Sequence, residues 1–259
     1  MNYETIIYRK KNDSAEVIFN RPKKLNALNQ KVFDELELVC AEVEKDTEIK
    51  ALVLTGGPDI FGAGADIEML ANLKSSAECY LFTGRNRAFQ ILENMGKPTV
   101  AAIGGFCLGG MFELALCCDF RIAADNAKFG LPEVKLGVLP GGGGTQRLPR
   151  LIGMTKAKEM IFLGEFINSQ EAYRLGLLNK VVPKEKLDEE VAEFVKKIVN
   201  LPAFGLRVIK EVVNVGVKVD LNDALEIERQ GFTILFSTED KKEGIAAFLE
   251  KRKANFSGF

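Results

Sequence analysis

The sequence predicts an α/β protein, and three patterns support that prediction. Ala51–Thr55 and Thr99–Ile103 contain no charged residue, which is typical of strands buried on both faces. Each run is followed by a glycine-containing turn and then by a helical pattern, which begins at about Gly109 in the second case. From about residue 155 onward, apolar residues recur with the period of a helix. Strands and helices therefore alternate in the first part of the chain, and helices dominate its end.

The other elements follow from the same patterns. A first pair of strands is predicted at residues 3–8 and 16–19. Asn29 is a plausible N-cap for a helix that reaches residue 44, and a serine at 75 or 76 opens a long helix to about residue 95. Further strands are predicted at 119–123 and 179–182, and further helices at 155–163, 169–175, 188–199, 203–213, 221–236 and 239–254.

A soft boundary near residue 200 divides the chain into a core at 1–200 and a helical tail at 201–259. The tail has little room for a core of its own. We therefore expect it to pack on the first part of the chain or on another subunit.

Composition narrows the class of protein. The 259 residues are 47% apolar, as in a well-buried globular core, and the formal net charge is −1. Without a long basic block, nothing favours nucleic acid or an anionic membrane surface as a partner. The first ten residues lack the pattern of a signal peptide, and the last residues are not the Ser-Lys-Leu peroxisomal address. We expect a cytoplasmic protein.

Cysteine and histidine usage restricts the chemistry further. The five cysteines form no C-x-x-C pair and are predicted to be small, reduced core residues. The chain contains no histidine, which excludes Ser-His-Asp triads, H-E-x-x-H zinc sites and histidine general bases. Acid–base chemistry must therefore rest on Glu, Asp, Lys, Tyr, Cys or backbone groups.

Glu113 is the one charged residue between Lys97 and Asp119. A buried carboxylate is costly without a partner. Gly110 lies three residues earlier, so a free N–H at the helix start and this carboxylate share one helical face. That pairing suits a carbonyl oxygen that gains negative charge beside an acid or base. A membrane span is disfavoured because the glycine turn and Glu113 would break it, but a core glycine turn with an ion-paired Glu113 stays open.

Three other segments allow a structural or a functional reading. Ala65 lies in a second small-residue turn and offers a backbone N–H, although Asp66 as an ordinary helix cap explains the segment equally well. Lys23 and Lys24 could meet an anionic group or form a solvated loop. Glu133 follows Pro132 in a first helical turn, where dipole complementarity alone could account for it.

The glycine-rich run at 140–145 matches neither a P-loop nor G-x-G-x-x-G. Anion contact by its backbone N–H groups remains possible.

Several segments together resemble the crotonase superfamily, and within it the enoyl-CoA hydratases. The likeness is colinear over nearly the whole chain, and its segments are 20–22, 25–28, 61–67, 104–119, 129–137, 140–148 and 236–244. The resemblance implies an α/β spiral of strand-strand-helix turns with a helical C-terminal region, which usually mediates trimers, often paired into hexamers.

The resemblance also implies an acyl-CoA thioester substrate and assigns roles to residues. The two backbone N–H groups that bind the thioester oxygen map onto Ala65 and Gly110, and the hydratase carboxylates map onto Glu113 and Glu133. Residues implied to contact the substrate are Lys24, Ala27, Ala63, Asp66, Ile67, Met111, Pro140 and Gly141. No metal or separate redox cofactor is needed, because CoA arrives as part of the substrate.

The implied activity is hydration of a 2-enoyl-CoA to a 3-hydroxyacyl-CoA, with Glu113 as base and Glu133 as acid. Alternatives are another crotonase enzyme, such as a Δ3,Δ2-enoyl-CoA isomerase or a cyclic dienoyl-CoA hydratase, or a non-catalytic CoA-binding protein. Two departures affect the expected substrate. Met111 and Phe112 are bulkier than the usual pair and are expected to reshape the acyl pocket, and Glu68 stands where a lysine that contacts the CoA phosphates is common.

Overall fold

The computed structural model describes residues 3–84 and 87–258, and it confirms the α/β class. The strands are β1 (Ile6–Lys11), β2 (Ser14–Phe19), β3 (Ala51–Thr55), β4 (Ile60–Gly62), β5 (Thr99–Ile103), β6 (Phe106–Leu108), β7 (Phe120–Ala124), β8 (Lys128–Gly130), β9 (Ile167–Asn168) and β10 (Lys180–Val182). Short 3-10 helices lie at Pro22–Lys24, Pro132–Leu136 and Lys184–Lys186.

The α-helices surround these strands and form the end of the chain. They are α1 (Gln30–Lys45), α2 (Ile67–Ala71), α3 (Ser76–Gly84), α4 (Arg87–Asn94), α5 (Gly109–Leu116), α6 (Gly144–Ile152), α7 (Met154–Leu163), α8 (Ser169–Arg174), α9 (Leu187–Val199), α10 (Ala203–Gly216), α11 (Leu221–Phe236) and α12 (Glu239–Glu250). Asn29 caps α1 as predicted, since its side chain accepts a hydrogen bond from the Val32 N–H.

The strands form two sheets that the chain visits in turn. The first has the order β1-β2-β3-β5-β7-β10 and is parallel except for the β1–β2 pair. The second has the order β4-β6-β8-β9, and only β9 runs antiparallel to its neighbour. Along the chain, β3 is followed by β4 and then helices, β5 by β6 and a helix, and β7 by β8 and helices. The expected spiral of strand-strand-helix turns is therefore present.

The central strands of the first sheet are buried on both faces. In β3, Leu52 and Leu54 belong to the main core, whereas Ala51 and Val53 pack in a second core that includes residues of α9. Strand residues alternate between faces, so two covered faces require an entirely apolar strand. This explains why the charge-free runs identified two strands correctly.

The second sheet positions the functional residues. Because β4, β6 and β8 are parallel neighbours, their carboxyl ends lie at one edge of the sheet. The chain leaves this edge through the Ala65, Gly110 and Glu133 segments, respectively. Three segments far apart in sequence thus arrive at one place.

The first strand is displaced from its prediction. It covers Ile6–Lys11 rather than residues 3–8. The reason is Glu35, whose carboxylate accepts hydrogen bonds from the N–H groups of Glu4 and Thr5, both at 2.9 Å. A helix side chain therefore takes the donors that a longer strand would use.

Helix α6 was not predicted. Its start lies in the glycine-rich run and it contains Pro149, and both features disfavour a helix. Tertiary contacts at its first turn, described below, override these local preferences. The short strands of the second sheet were also missed, because each has three residues or fewer.

Two predicted helices differ in extent. The helix predicted from 75 to 95 corresponds to α3 and α4, and residues 85–86 between them lie outside the described residues. Helix α12 ends at Glu250 because Lys251 adopts a left-handed conformation (φ 56°).

The apolar stretch 98–119 divides into β5, β6 and α5, and among the described residues no helix is long and apolar enough to cross a bilayer.

The helical tail is joined to the first part of the chain by a half-buried ion pair. Lys210 Nζ on α10 lies 2.8 Å from Asp119 Oδ2, and the lysine side chain is only 9% exposed. The same carboxylate oxygen accepts the Thr99 N–H at 2.7 Å, and Lys210 also donates to the Lys97 carbonyl. The expectation that the tail packs on the first part is thus met by α10. The division of roles at residue 200 stays a prediction.

Replacing Lys210 by Met should destabilise the protein. Asp119 would remain half-buried without its cation, which typically costs about 2–4 kcal/mol. Lys242→Met is the matched control, since its ion pair with Glu239 is exposed and worth less than about 1 kcal/mol. Urea unfolding at one fixed protein concentration measures both. Equal midpoints for the two variants would contradict a stabilising role for the ion pair between Lys210 and Asp119.

Candidate active site

The candidate site is built around the turn between β6 and α5. Gly109 has φ 51°, which favours glycine. A Cβ at this position would also lie 3.0 Å from Glu133 Oε1 and 3.3 Å from Gly64 Cα. The turn therefore needs glycine both for its conformation and for the close approach of two other segments.

Two backbone N–H groups lie beside this turn. Gly110 is the second residue of α5, so its N–H has no intrahelical acceptor. The Ala65 N–H has no hydrogen-bond acceptor among the described residues. The Ala65 nitrogen lies 3.7 Å from the point that a Cβ on Gly110 would occupy. The predicted pair of donors is therefore brought together.

The Ala65 segment is held by main-chain hydrogen bonds. Leu28 N–H donates to Gly64 O at 2.7 Å, and Asp66 N–H donates to Leu28 O at 2.8 Å. Because the residues on either side of Ala65 are both fixed to Leu28, the direction of the Ala65 N–H is set in advance. Fixed donors of this kind stabilise developing negative charge without reorganisation.

Glu113 lies one turn into α5 and is 3% exposed. Its Oε1 accepts the N–H groups of Gly142 at 2.8 Å and Gly144 at 2.7 Å. The glycine-rich run therefore binds a carboxylate of the protein itself, at the start of α6, where the helix dipole favours negative charge. Burial raises the pKa of Glu113, and the two N–H groups and the Arg147 charge partly oppose that rise.

Glu133 lies in the 3-10 helix that follows β8. Its Oε2 is buried and has no hydrogen-bond partner among the described residues. Burial, followed by the nearby negative charge of Glu113, raises the pKa of Glu133 to about 7, against the opposing effect of its own backbone N–H. A carboxyl group of this kind holds a proton close to neutral pH and can release it to a substrate.

The two carboxyl groups flank the same helix start. Glu133 Oε1 lies against Gly109, and Glu113 Oε2 lies 4.0 Å from the Cβ position of Gly110. No described residue donates a hydrogen bond to Glu113 Oε2. The arrangement offers an acceptor oxygen, a carboxyl group that keeps its proton up to about neutral pH and two N–H donors without an acceptor among the described residues, all within one small region. Such a set suits addition of a proton and a nucleophile across a double bond conjugated to a carbonyl.

The other residues implied to contact substrate lie at different depths. Lys24 and Ile67 are exposed, Ala63 is half-buried, and Ala27 and Pro140 are buried. Gly141 is exposed at the start of the glycine-rich run. Their contacts with a ligand stay predictions.

Asp66 has two contacts within the protein. Its Oδ1 accepts the Glu68 N–H and so caps α2, and its Oδ2 accepts Arg21 Nη2 at 2.8 Å. The structure thus gives its carboxylate the capping role that was one of the two readings from sequence.

Met111 departs from expectation. Its side chain is fully buried in the main core, and a Cβ at Gly62 would lie 2.4 Å from Met111 Cγ. Phe112 is also fully buried and packs against Phe129, with ring centroids 5.5 Å apart. Both side chains pack in the main core, so they would affect the acyl pocket only indirectly.

Glu68 also has a contact that the sequence did not suggest. Its Oε1 lies 2.6 Å from Lys24 Nζ. The acidic residue that replaces the common lysine therefore pairs with the basic residue predicted to meet the substrate.

Sequence reasoning missed the support of Glu113. Neither Gly142 and Gly144 as its donors nor the ion pair of Arg147 with Glu93 was predicted. The available signal was an anion-binding run of glycines in a chain with a solitary buried carboxylate.

Comparisons with known proteins identify the family. The family model for enoyl-CoA hydratase/isomerase matches residues 9–258. The chain is 46% identical to a crotonyl-CoA hydratase of Syntrophomonas wolfei subsp. wolfei, covering 99% of each protein, and 44% identical to a short-chain-enoyl-CoA hydratase of Clostridium acetobutylicum, covering 98% of this chain and 97% of that protein. The fold is similar to that of an enoyl-CoA hydratase from Bacillus anthracis, with a TM-score of 0.94, 36% identity and coverage of 99% of this chain and 100% of that one. The protein belongs to the enoyl-CoA hydratase/isomerase family, the crotonases.

Proposed function

We propose that this enoyl-CoA hydratase performs hydration with Glu113 as general base and Glu133 as general acid. The activity follows from the family and from full-length relatives at 40–46% identity: the protein is a hydro-lyase that converts 2-enoyl-CoA to 3-hydroxyacyl-CoA. The observation that carries the assignment of roles is the pair of buried carboxyl groups on either side of one helix start.

The thioester oxygen of the substrate binds the N–H groups of Ala65 and Gly110. As water adds at C3, the electrons of the 2,3 double bond move toward that oxygen and leave it negatively charged. Two preorganised donors at this place lower the barrier, and removing one such donor from other enzymes typically costs about 10²–10³ in kcat.

Glu113 and Glu133 complete the transfer of one water molecule. Two N–H groups hold Oε1 of Glu113, which leaves Oε2 to orient the water and accept its proton. Glu133, with a pKa of about 7, delivers a proton to C2. The hydroxyl group of the water forms the new C3–O bond, and the proton from Glu133 forms the new C2–H bond. The proton that Glu113 takes from the water replaces the one that Glu133 gives up, so one whole water molecule is added.

Removing either carboxylate should abolish most hydration. Glu113→Gln and Glu133→Gln should each reduce kcat by about 10²–10⁴-fold, because each removes one step of general acid–base catalysis. The double variant should lose little more than the worse single variant, since the two groups act as a unit. Loss of crotonyl-CoA absorbance measures hydration, and this short-chain substrate is chosen because two relatives are named for such thioesters.

The same experiment separates the alternative activities. A 3-enoyl-CoA isomerase moves one proton between C4 and C2 and needs only one carboxylate, expected to be Glu133. If wild type isomerises a 3-enoyl-CoA but hydrates neither crotonyl-CoA nor a cyclic dienoyl-CoA, or if Glu113→Gln hydrates at full rate, the hydratase mechanism fails. Hydration of a cyclic dienoyl-CoA alone would instead redirect the substrate assignment.

The pKa of Glu133 should be visible in folding stability. A carboxyl pKa of about 7 in the folded state lies above the ordinary value of 4.5, so the folded protein holds a proton that the unfolded chain has released. Stability is therefore lost as pH rises from about 4.5 to about 7. Glu133→Gln removes this loss, and its stability relative to wild type should improve as pH rises from about 4.5 to about 7. Urea unfolding at several pH values measures this difference, and Glu185→Gln, in an exposed 3-10 helix, is the control. The curve of stability against pH should be parallel to that of wild type for Glu185→Gln. A parallel curve for Glu133→Gln as well would contradict the raised pKa of Glu133.

The tail at 201–259 is proposed as the assembly region of a homotrimer or homohexamer. Its helices expose large apolar side chains, among them Phe232 (67%), Phe248 (82%) and Leu249 (74%). Large exposed apolar patches of this kind are typical of subunit interfaces. The cytoplasmic location also stays a prediction.

Light scattering at micromolar concentration tests the assembly. We expect the mass of three or six chains, and the double variant Phe232→Asp, Phe248→Asp should shift the population toward smaller species because charge at a buried interface is costly. A wild-type mass equal to one chain would refute the proposal.

A further inference from the structure

The Glu113 carboxylate is connected to a second pair of charged residues through the glycine-rich run. Arg147 on α6 donates to Glu93 on α4 through Nε to Oε1 at 3.2 Å and through Nη2 to Oε2 at 2.8 Å. The two side chains are 18% and 28% exposed. Paired fork contacts of this type fix the plane of the guanidinium more firmly than a single contact.

The remaining arm of Arg147 reaches the main chain beside the site. Its Nη1 donates to Gly142 O at 2.9 Å. The N–H of the same glycine donates to Glu113 Oε1. One residue therefore links the guanidinium to the buried carboxylate.

The side chains of Arg147 and Glu113 occupy the positions that Cβ atoms on residues 142–144 would need. Gly143 has φ 105°, and a Cβ there would lie 1.9 Å from Arg147 Nη1. Cβ atoms on Gly142 and Gly144 would lie 2.8 Å and 3.0 Å from the oxygens of Glu113. The middle glycine makes room for the arginine, and the outer two make room for the carboxylate.

We propose that Arg147, oriented by Glu93, is a positioning residue that holds residues 142–144 and thereby sets the orientation of Glu113 toward water. This role rests on the proposed function of Glu113 as general base. Arg147 touches neither the water nor the thioester oxygen in this scheme, and it acts through Gly142. Without it, the Gly142 N–H would lose its fixed direction and the carboxylate would rotate among several positions.

Arg147 also contributes charge. Among the described residues, the titratable groups that interact electrostatically with Glu113 are Glu133, the buried thiol of Cys117 and Arg147, and of these Arg147 is the cation. Its charge works against the rise that burial causes in the pKa of Glu113. Loss of this charge should therefore move the pH at which the base becomes ionised upward, whereas loss of the fork geometry alone should not.

Three substitutions and one control separate geometry from charge. Arg147→Lys keeps the positive charge but cannot span Glu93 and Gly142 together. Arg147→Gln removes both the charge and the fork. Glu93→Gln leaves the arginine in place and weakens what orients it. Arg150→Gln is the matched control, because Arg150 lies on the same helix and its side-chain hydrogen bonds to described residues all go to Gln146.

The readout is the pH profile of crotonyl-CoA hydration, with kcat and KM determined separately. We expect kcat to fall about 10–100-fold in both Arg147 variants, as for a misplaced catalytic group, and by less in Glu93→Gln, with KM changed less than about threefold. The acid limb of kcat/KM should move to higher pH in Arg147→Gln and stay in place in Arg147→Lys. Arg150→Gln should match wild type in every measurement.

The outcomes separate this proposal from the proposed function. A wild-type protein that does not hydrate refutes the function itself. An active wild type with unchanged kcat and acid limb in folded Arg147→Lys, Arg147→Gln and Glu93→Gln overturns the positioning role alone. Equal losses in Arg150→Gln would also overturn it. Should Arg147→Gln fail to fold, Arg147→Lys and Glu93→Gln still decide the question.

Discussion

The site depends on keeping one carboxylate in an apolar core. Burial of Glu113 would be prohibitive without compensation, and the compensation comes from the two N–H groups of Gly142 and Gly144 at the start of α6. That requirement accounts for the glycine-rich run, for the helix that follows it, and for the direction in which Glu113 presents its free oxygen. Glycines that resemble a phosphate cradle serve here as the receptor for a side chain of the same protein.

A second constraint concerns how the parts of the site are held together. The two N–H donors and the two carboxyl groups of the site follow the ends of parallel strands in the small second sheet. The residues proposed to position Glu113 lie on helices outside this sheet. The tail reaches the same region, because Asn214 on α10 donates to the main-chain carbonyl of Glu93. Glu93, which pairs with Arg147, is therefore also contacted by the helical tail, the region proposed for assembly.

The sequence was informative where burial decides the local pattern. Charge-free strands, the capped helix after Asn29 and the solitary Glu113 could be predicted, because an apolar run or a lone carboxylate reflects its surroundings directly. Short strands and α6 could not, since three-residue strands show no period and Pro149 argues against a helix that only tertiary contacts maintain. The same limit applies to Glu93 and Arg147, which resemble ordinary surface charges until the fold brings them together across 54 residues.

The N–H groups of Ala65 and Gly110, for which the described part of the chain offers no acceptor, belong to the main chain, and this limits what mutagenesis can reveal. No exchange of side chains deletes either donor, apart from proline, which would also disturb the local backbone. Under the proposed mechanism, a systematic alanine scan would therefore detect Glu113 and Glu133 but miss the two N–H groups proposed to bind the thioester oxygen. Replacing single amide bonds by esters, through chemical synthesis or an expanded genetic code, is the way to count their contribution. The side chains that natural variants carry at positions 65 and 110 should accordingly reflect how much room the substrate needs, and not whether the N–H donors are present.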